Sequence, residues 1–318
     1  RPAHGLQPQA RISETRRLMG VPWRITAYAP DGVDGSHAVD AAFAEIARLE
    51  RVLSDYDPES ELSRLSARAG EPEPTTVSDD LWQVLVMAEE FRRRTDGAFD
   101  VSVGPLTALW RQSRRSGKLP RPDKLAAALA AVGSGSVELL PARQAVRLPK
   151  PGTRLDPGGI GMGFAADRAM ELLATLGISA ALIDASGDIL VSGPPPGADG
   201  WRIAVAPLEP GGASETIVLV RAAVTTSGDA FQAVEIEGER YSHIVDPRTG
   251  RGVPGPAAVT VIAQNAATAD AVATAASVLG PQEGLALVET VPGAAARFVW
   301  RTATDARIRA SRRWPEPR

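Results

Sequence analysis

Lys150-Pro151-Gly152-Thr153-Arg154-Leu155-Asp156-Pro157-Gly158-Gly159-Ile160-Gly161-Met162-Gly163-Phe164-Ala165-Ala166 is the stretch on which the fold turns. Gly161 to Ala166 fits G-x-G-x-x-A at the opening of a helical pattern, and Asp184 ends a strand about 20 residues on, the outline of a dinucleotide fingerprint. Glycines so placed let a pyrophosphate approach the amides of a helix N-terminus. The fingerprint needs a buried strand directly before the turn, and Lys150 to Arg154 is not one. A phosphate loop of the G-x-x-x-x-G-K-[ST] type is absent. Downstream come strand patterns in succession: Ala181 to Ile183, Ile189 to Val191, Ile203 to Val205, Ile217 to Val220, Val234 to Ile236 and Val259 to Ile262. Strands in series with helices grouped around them predict an α+β fold, a mixed and largely antiparallel sheet flanked by helices, in one compact unit of one or two lobes.

Outward from that stretch the periodicities are plain. Met19 to Ala29 alternates as a strand, and His37 to Leu53 places Val39, Phe43, Ile46, Leu49 and Leu53 on one helical face. Ser78 is an N-cap for a helix whose buried face is Leu81, Val84, Leu85, Ala88 and Phe91. Arg92, Arg93 and Arg94 in its last turn read as solvated cations at the negative helix end. Pro122 to Val132 is a short helix, and Val137 to Leu140 with Ala145 to Leu148 a hairpin. Gly163 to Leu176 is helical up to Gly177, Thr268 to Val278 and Glu283 to Glu289 are helical again, and Ala296 to Trp300 closes as a strand. The polar opening reads as a flexible leader over residues 1–15, with the body over 16–312 and a tail over 313–318.

Composition removes whole classes of function. The 318 residues are 44% hydrophobic and 23% charged, and the formal net charge of −3 leaves no basic field for nucleic acid. No run reaches about 18 consecutive apolar residues, so no membrane span is expected. The absence of cysteine excludes disulfides, thiolate metal sites, iron–sulfur clusters and cysteine nucleophiles. Three histidines, His4, His37 and His243, argue against a histidine-rich zinc site.

Some residues stand out chemically. An acid, Asp156, beside the glycines of Pro157-Gly158-Gly159 suits a divalent cation or polar ring near phosphate-binding amides, or else a helix cap. Asp270 and Thr274 lie at i and i+4, one turn apart on one helix face among alanines, where a carboxylate and a hydroxyl can hold Mg²⁺; close helix packing is the competing reading. His243 sits in the loop Arg240 to Gly250 and can take a proton from an incoming hydroxyl or simply make a structural hydrogen bond. Thr225-Thr226-Ser227-Gly228-Asp229 reads as a further turn.

In this order the segments resemble the FAD:protein FMN transferases, the ApbE-like flavin transferases. The resemblance runs through Met19-Gly20, Ser54-Asp55-Tyr56, Ser60 to Leu65, Asp96-Gly97-Ala98-Phe99-Asp100 and Gly104-Pro105-Leu106. It continues in Leu155 to Ala165, Gly187-Asp188, Thr226 to Asp229, Tyr241 to Gly250 and Ala269-Asp270-Ala271 with Thr274. It implies an ApbE-like fold and a Mg²⁺-dependent enzyme that moves the FMN half of FAD onto a threonine or serine of an acceptor flavoprotein, releasing AMP. By that likeness Met19, Tyr56, Ala98, Phe99, Asp100, Asp156, Met162 and Ile244 line the FAD site. The metal lies between the carbonyl of Gly159 and the side chains of Asp270 and Thr274, and His243 is the base, with Asp270 beside it in catalysis.

The chain also departs from the family pattern. Met162 stands where a lysine or other charged residue is common, Val21 follows Met19-Gly20, Val101-Ser102 follows Asp100, Ala185-Ser186 precedes Gly187, and position 273 is alanine. Two alternatives therefore stand beside the transferase: an FAD pyrophosphatase giving FMN and AMP, and a non-catalytic FAD-binding or flavin-delivery protein. The likeness, the start at Arg1 and the lack of cysteine together suggest a periplasmic or envelope-associated protein, with a possible lipid tether upstream.

Overall fold

Trp23, Ile25, Ala27 and Ala29 recur at every second position and all are buried, which makes Val21–Pro30 a strand with its inner face fully committed to the core. The computed structural model describes residues 9–205, 215–228, 233–254, 257–301 and 305–316. Its strands are β1 (Gln9–Leu18), β2 (Val21–Pro30), β3 (Thr75–Thr76), β4 (Glu138–Leu140), β5 (Ala145–Arg147), β6 (Ala180–Ala185), β7 (Asp188–Val191) and β8 (Trp201–Val205). There follow β9 (Glu215–Leu219), β10 (Ala222–Gly228), β11 (Ala233–Ile236), β12 (Glu239–Val245), β13 (Gly252–Pro254), β14 (Ala257–Ala263), β15 (Ala295–Arg301) and β16 (Ala306–Ala310). The helices are α1 (Gly35–Leu53), α2 (Glu61–Ala67), α3 (Asp79–Arg94), α4 (Gly104–Ser116), α5 (Pro122–Ala130), α6 (Gly161–Thr175) and α7 (Ala266–Thr290).

Eight strands form the central sheet in the order β1-β2-β6-β7-β10-β14-β15-β16, every neighbour antiparallel. The α+β expectation holds, and the doubly wound alternative does not. Successive residues of the central strands serve opposite cores. Ala223 and Val261 face the main core with α1, α6 and α7, while Val224 and Ile262 face a second core closed by the β8–β9 hairpin. A third cluster packs Leu106 and Trp110 of α4 and Ala128 of α5 against Val245 of β12. The cleft described below opens between the first and third cores.

Four sequence expectations change. Gln9–Leu18 is no leader: it pairs with β2 from Gln9↔Pro30 to Leu18↔Val21. An edge strand has one covered flank and exposed polar side chains, so its sequence looks like a solvated tail; residues 1–8 lie outside the described residues. The expected tail is anchored as far as Trp314, whose indole donates to Glu215 at 3.1 Å, while Arg313 donates to the Ala294 carbonyl at 2.7 Å. Thr225 to Gly228 end β10 instead of turning, because the β-branched Thr225 and Thr226 pair with Val261 and Thr260; Asp229 lies outside the described residues. His243 belongs to β12 and not to a loop, and the turn is confined to Asp246 to Gly250, closed by Gly250 N–H to the Asp246 carbonyl at 2.8 Å.

Helix α7 is long and apolar enough by length and composition to cross a membrane. It is nevertheless broken at Gly280 (φ 76°, ψ 179°) ahead of Pro281, and Ala269, Ala271, Val272, Ala273, Ala275 and Ala276 are all buried in the main core. We read it as a core helix, in the two pieces that the sequence pattern indicated.

Candidate functional site

The Leu155 to Ile160 segment takes its geometry from one carboxylate. Asp156 accepts the Gly158 N–H on one oxygen at 2.9 Å, and on the other the Thr107 hydroxyl at 2.7 Å and an Arg111 N–H at 3.1 Å. It does not cap α6, whose N-cap is Ile160 with no side-chain bond, so the capping alternative falls. Thr107 and Arg111 are four residues apart on α4 and present one face to Asp156. Arg111 also donates to Asp55 at 2.7 Å and stacks 4.4 Å from the centroid of Tyr56. Burial, and then the Asp156 charge, push the Asp55 carboxyl up against the pull of Arg111.

Beyond Gly158 the chain runs directly against α7. A Cβ on Gly159 would lie 2.7 Å from the Thr274 hydroxyl, so only glycine lets the backbone and that hydroxyl share the space. Asp270, one turn before Thr274, is 4% exposed and accepts the Gly163 N–H at a long 3.4 Å. Burial, and then the charges of Asp188 and Asp167, hold its carboxyl well above the usual range. Asp188 is raised as well, by burial and by Asp184, against hydrogen bonds from the Thr225 hydroxyl and the Thr226 N–H. The charged groups acting on Asp270 are thus all acidic. Among the described residues no group of three or more His, Cys, Asp or Glu could hold a metal by itself. A buried carboxylate with acidic neighbours, a hydroxyl and a bare backbone form a hard, oxygen-only donor set, whose chemistry would suit a cation such as Mg²⁺.

The opposite wall is apolar and acidic. Phe99 is buried edge-on against Phe91, with ring centroids 6.0 Å apart. Asp100 binds the Ser102 N–H and hydroxyl through one oxygen, at 2.8 and 2.6 Å, while its other oxygen is buried without a partner. Burial raises its pKa. An orphaned buried acceptor on a cleft wall is suited to an N–H of a bound ring. The Trp110 indole donates to the Gly250 carbonyl at 2.7 Å and packs against Tyr241 at 5.0 Å, which ties β12, and His243 with it, to α4.

These groups line one cleft of about 490 Å³. Tyr56, Ala98, Phe99, Asp100, Asp156, Gly159, Met162, His243, Ile244, Asp270 and Thr274 all face it. Met19 does not: it sits at the β1–β2 turn with φ +49°, packed on the main core. Sequence reasoning missed Arg111, Thr107 and Arg114 of α4; the i, i+4 spacing of Thr107 and Arg111 was the available signal. Arg92, Arg93 and Arg94 pair with Glu89 and Glu90 on their own helix, as a solvated cluster should. Gly163 answers to packing: a Cβ there would overlap the Ala266 carbonyl where α6 crosses α7.

Fold and cleft together define an α+β protein with a cleft whose carboxylate and hydroxyl groups lie opposite aromatic and arginine side chains. The profile of the ApbE family matches residues 19–298. An FAD:protein FMN transferase of Treponema pallidum is 32% identical over 323 residues, covering 95% of this chain and 88% of that protein. One of Haemophilus influenzae is 32% identical, covering 87% and 83%. The solved flavin transferase ApbE from Vibrio cholerae superposes with a TM-score of 0.87 at 28% identity, covering 96% of this chain and 98% of the other. The apo flavinyl transferase ApbE of Pseudomonas stutzeri gives 0.85, also at 28% identity, with 96% of each chain covered. The chain belongs to the ApbE family.

Proposed function

We propose that this chain is an FAD:protein FMN transferase, taking FAD as substrate and Mg²⁺ as cofactor and placing FMN on a threonine or serine hydroxyl of an acceptor flavoprotein. The observation that carries this reading is the convergence of the oxygen donors, His243 and the Tyr56–Phe99 walls on one cleft. Gly159, Asp270 and Thr274 would hold the metal, which supplies charge neutralisation for the pyrophosphate. Tyr56 and Phe99 offer flat apolar faces to a ring system, and the unpaired oxygen of Asp100 accepts a ring N–H. Met162 contributes a polarizable packing surface in place of a charge. In the reaction the acceptor oxygen bonds to the phosphorus on the FMN side. The bond from that phosphorus to the bridging oxygen breaks, AMP leaves with that oxygen, and the hydroxyl proton passes to His243. Phosphoryl transfer asks chiefly for positioning and charge neutralisation, and a site this sparse in catalytic groups suffices for it. An envelope location outside the cytoplasm belongs to the same reading and agrees with a chain free of cysteine.

The test is incubation of the purified chain with FAD, Mg²⁺ and a threonine-bearing acceptor, read by intact mass and by nucleotide analysis. Acceptor carrying one FMN, with AMP released, supports the transferase. Free FMN and AMP would make it a pyrophosphatase, and bound but unaltered FAD a carrier.

A further inference from the structure

Two segments far apart in the chain, Asp55-Tyr56 and the turn at Asp156, meet on Arg111 of α4. One guanidinium nitrogen binds Asp55 at 2.7 Å, the other binds Asp156 at 3.1 Å, and the plane stacks 4.4 Å from the centroid of Tyr56. Tyr56 is 75% exposed, so little else fixes a ring that forms one wall of the cleft. Asp156 passes the connection on: its second oxygen holds the Gly158 N–H, in the turn that presents Gly159 to Thr274. We infer that Arg111 is a positioning residue that couples the two ends of the cleft, holding the Tyr56 ring as a stacking face and, through Asp156, fixing the turn that carries the Gly159 carbonyl.

The chemistry favours arginine for this work. A planar fork serves two carboxylates at once and still offers a face to an aromatic ring. Lysine, a point charge, can serve one carboxylate and has no plane to stack. Without Arg111, Asp55 and Asp156 would face each other with no cation between them, and each would seek new partners. Arg114, one turn further along α4, lines the same cleft with the same charge but makes no such bridge among the described residues, and it supplies the charge control for the Mn²⁺ arm.

The inference rests on the cleft being the FAD site, so its test has two arms. FAD binding is followed by flavin fluorescence in wild type, Arg111→Met, Arg111→Lys, Arg114→Met, Tyr56→Ala and the Arg111→Met/Tyr56→Ala double variant. Mn²⁺ binding without FAD is followed by electron paramagnetic resonance in the same proteins. Arg111→Met is expected to weaken FAD about tenfold and to reduce the stacking-dependent quench, with Arg111→Lys recovering only part of either. The double variant should be no worse than Tyr56→Ala alone, because both changes remove one arrangement. Mn²⁺ affinity should fall several-fold in Arg111→Met and stay near wild type in Tyr56→Ala. Wild-type affinity for both ligands in Arg111→Met overturns the inference, as does an equal loss of Mn²⁺ affinity in Arg114→Met, which would mean bulk charge. Should Arg111→Met fail to fold, Arg111→Lys keeps a cation in place and decides the same points. A wild-type chain that binds Mn²⁺ and no FAD sinks the functional reading alone, and the Mn²⁺ arm still decides the link to Gly159.

Discussion

Gly159 and Thr274 occupy one space: a Cβ on the glycine would lie 2.7 Å from the threonine hydroxyl and 3.0 Å from its methyl. An alanine at 159 must push α7 or its own loop away, and both carry oxygen donors of the cleft floor. Gly159→Ala should therefore lower FMN transfer by about 10²-fold, the scale of a misplacement near 1 Å. The overpacking should also cost about 1–3 kcal/mol, and the variant must be shown to remain folded at the assay temperature. Steady-state transfer beside a melting curve checks this, and near-normal transfer would dismiss Gly159 from the floor.

Asp270 behaves unlike a stabilising buried acid. It has one long hydrogen bond, and Asp188 and Asp167 as charged neighbours. Asp270→Asn removes a charge that burial disfavours, so the metal-free protein should be at least as stable as wild type. Millimolar Mg²⁺ should raise the melting temperature of wild type, by the mass-action term for a ligand of the native state, and leave the variant where it was. Transfer should drop about 10²–10³-fold. Equal Mg²⁺ shifts in the two proteins would remove Asp270 from the metal site.

What could be read in the sequence divides along physical lines. The inner helix faces of α1 and α3 were legible because burial imposes a period, and every residue named on them is buried. Edge strands β1 and β16 were not, since an edge exposes one flank and tolerates Arg, Ser and Thr in alternation. Helices α2 and α4 were missed where serines and arginines dilute the apolar stripe, and Arg111 went with α4. The cleft residues were assigned by resemblance; spacing alone left Asp156, Asp270 and His243 each with a structural alternative. Only three-dimensional proximity separates those readings, as the Asp156 bonds to Thr107, Arg111 and Gly158 do.

Gly161 and Gly163 look equivalent in the G-x-G-x-x-A pattern, and the fold sets them apart. A Cβ at 163 would overlap the Ala266 carbonyl and come within 2.7 Å of the Ala267 Cα, whereas at 161 its nearest neighbour would be Pro157 Cβ at 3.4 Å. Gly163→Ala should destabilise by about 1–3 kcal/mol as α6 and α7 are forced apart. Gly161→Ala should stay within about 1 kcal/mol of wild type. Denaturant midpoints of the pair decide it: equal, small effects would return both glycines to a ligand-binding role.

Asp167 holds the start of α7 in place, accepting the Ala266 and Ala267 N–H groups at 2.7 and 2.9 Å. Burial nonetheless pushes its pKa up to about 6, against those two hydrogen bonds. A carboxyl raised on folding binds its proton more tightly in the native state, so its contribution to stability is full below about pH 4 and is lost as pH rises to about 6. The loss is at most about 3 kcal/mol. Asp167→Asn removes the titration and keeps one acceptor for the helix start. The variant should be weaker by about 1 kcal/mol at pH 4, for the lost cap, and show a flatter profile between pH 4 and pH 6. Urea midpoints across that window make the comparison; a wild-type slope in the variant would show that the titrating group lies elsewhere.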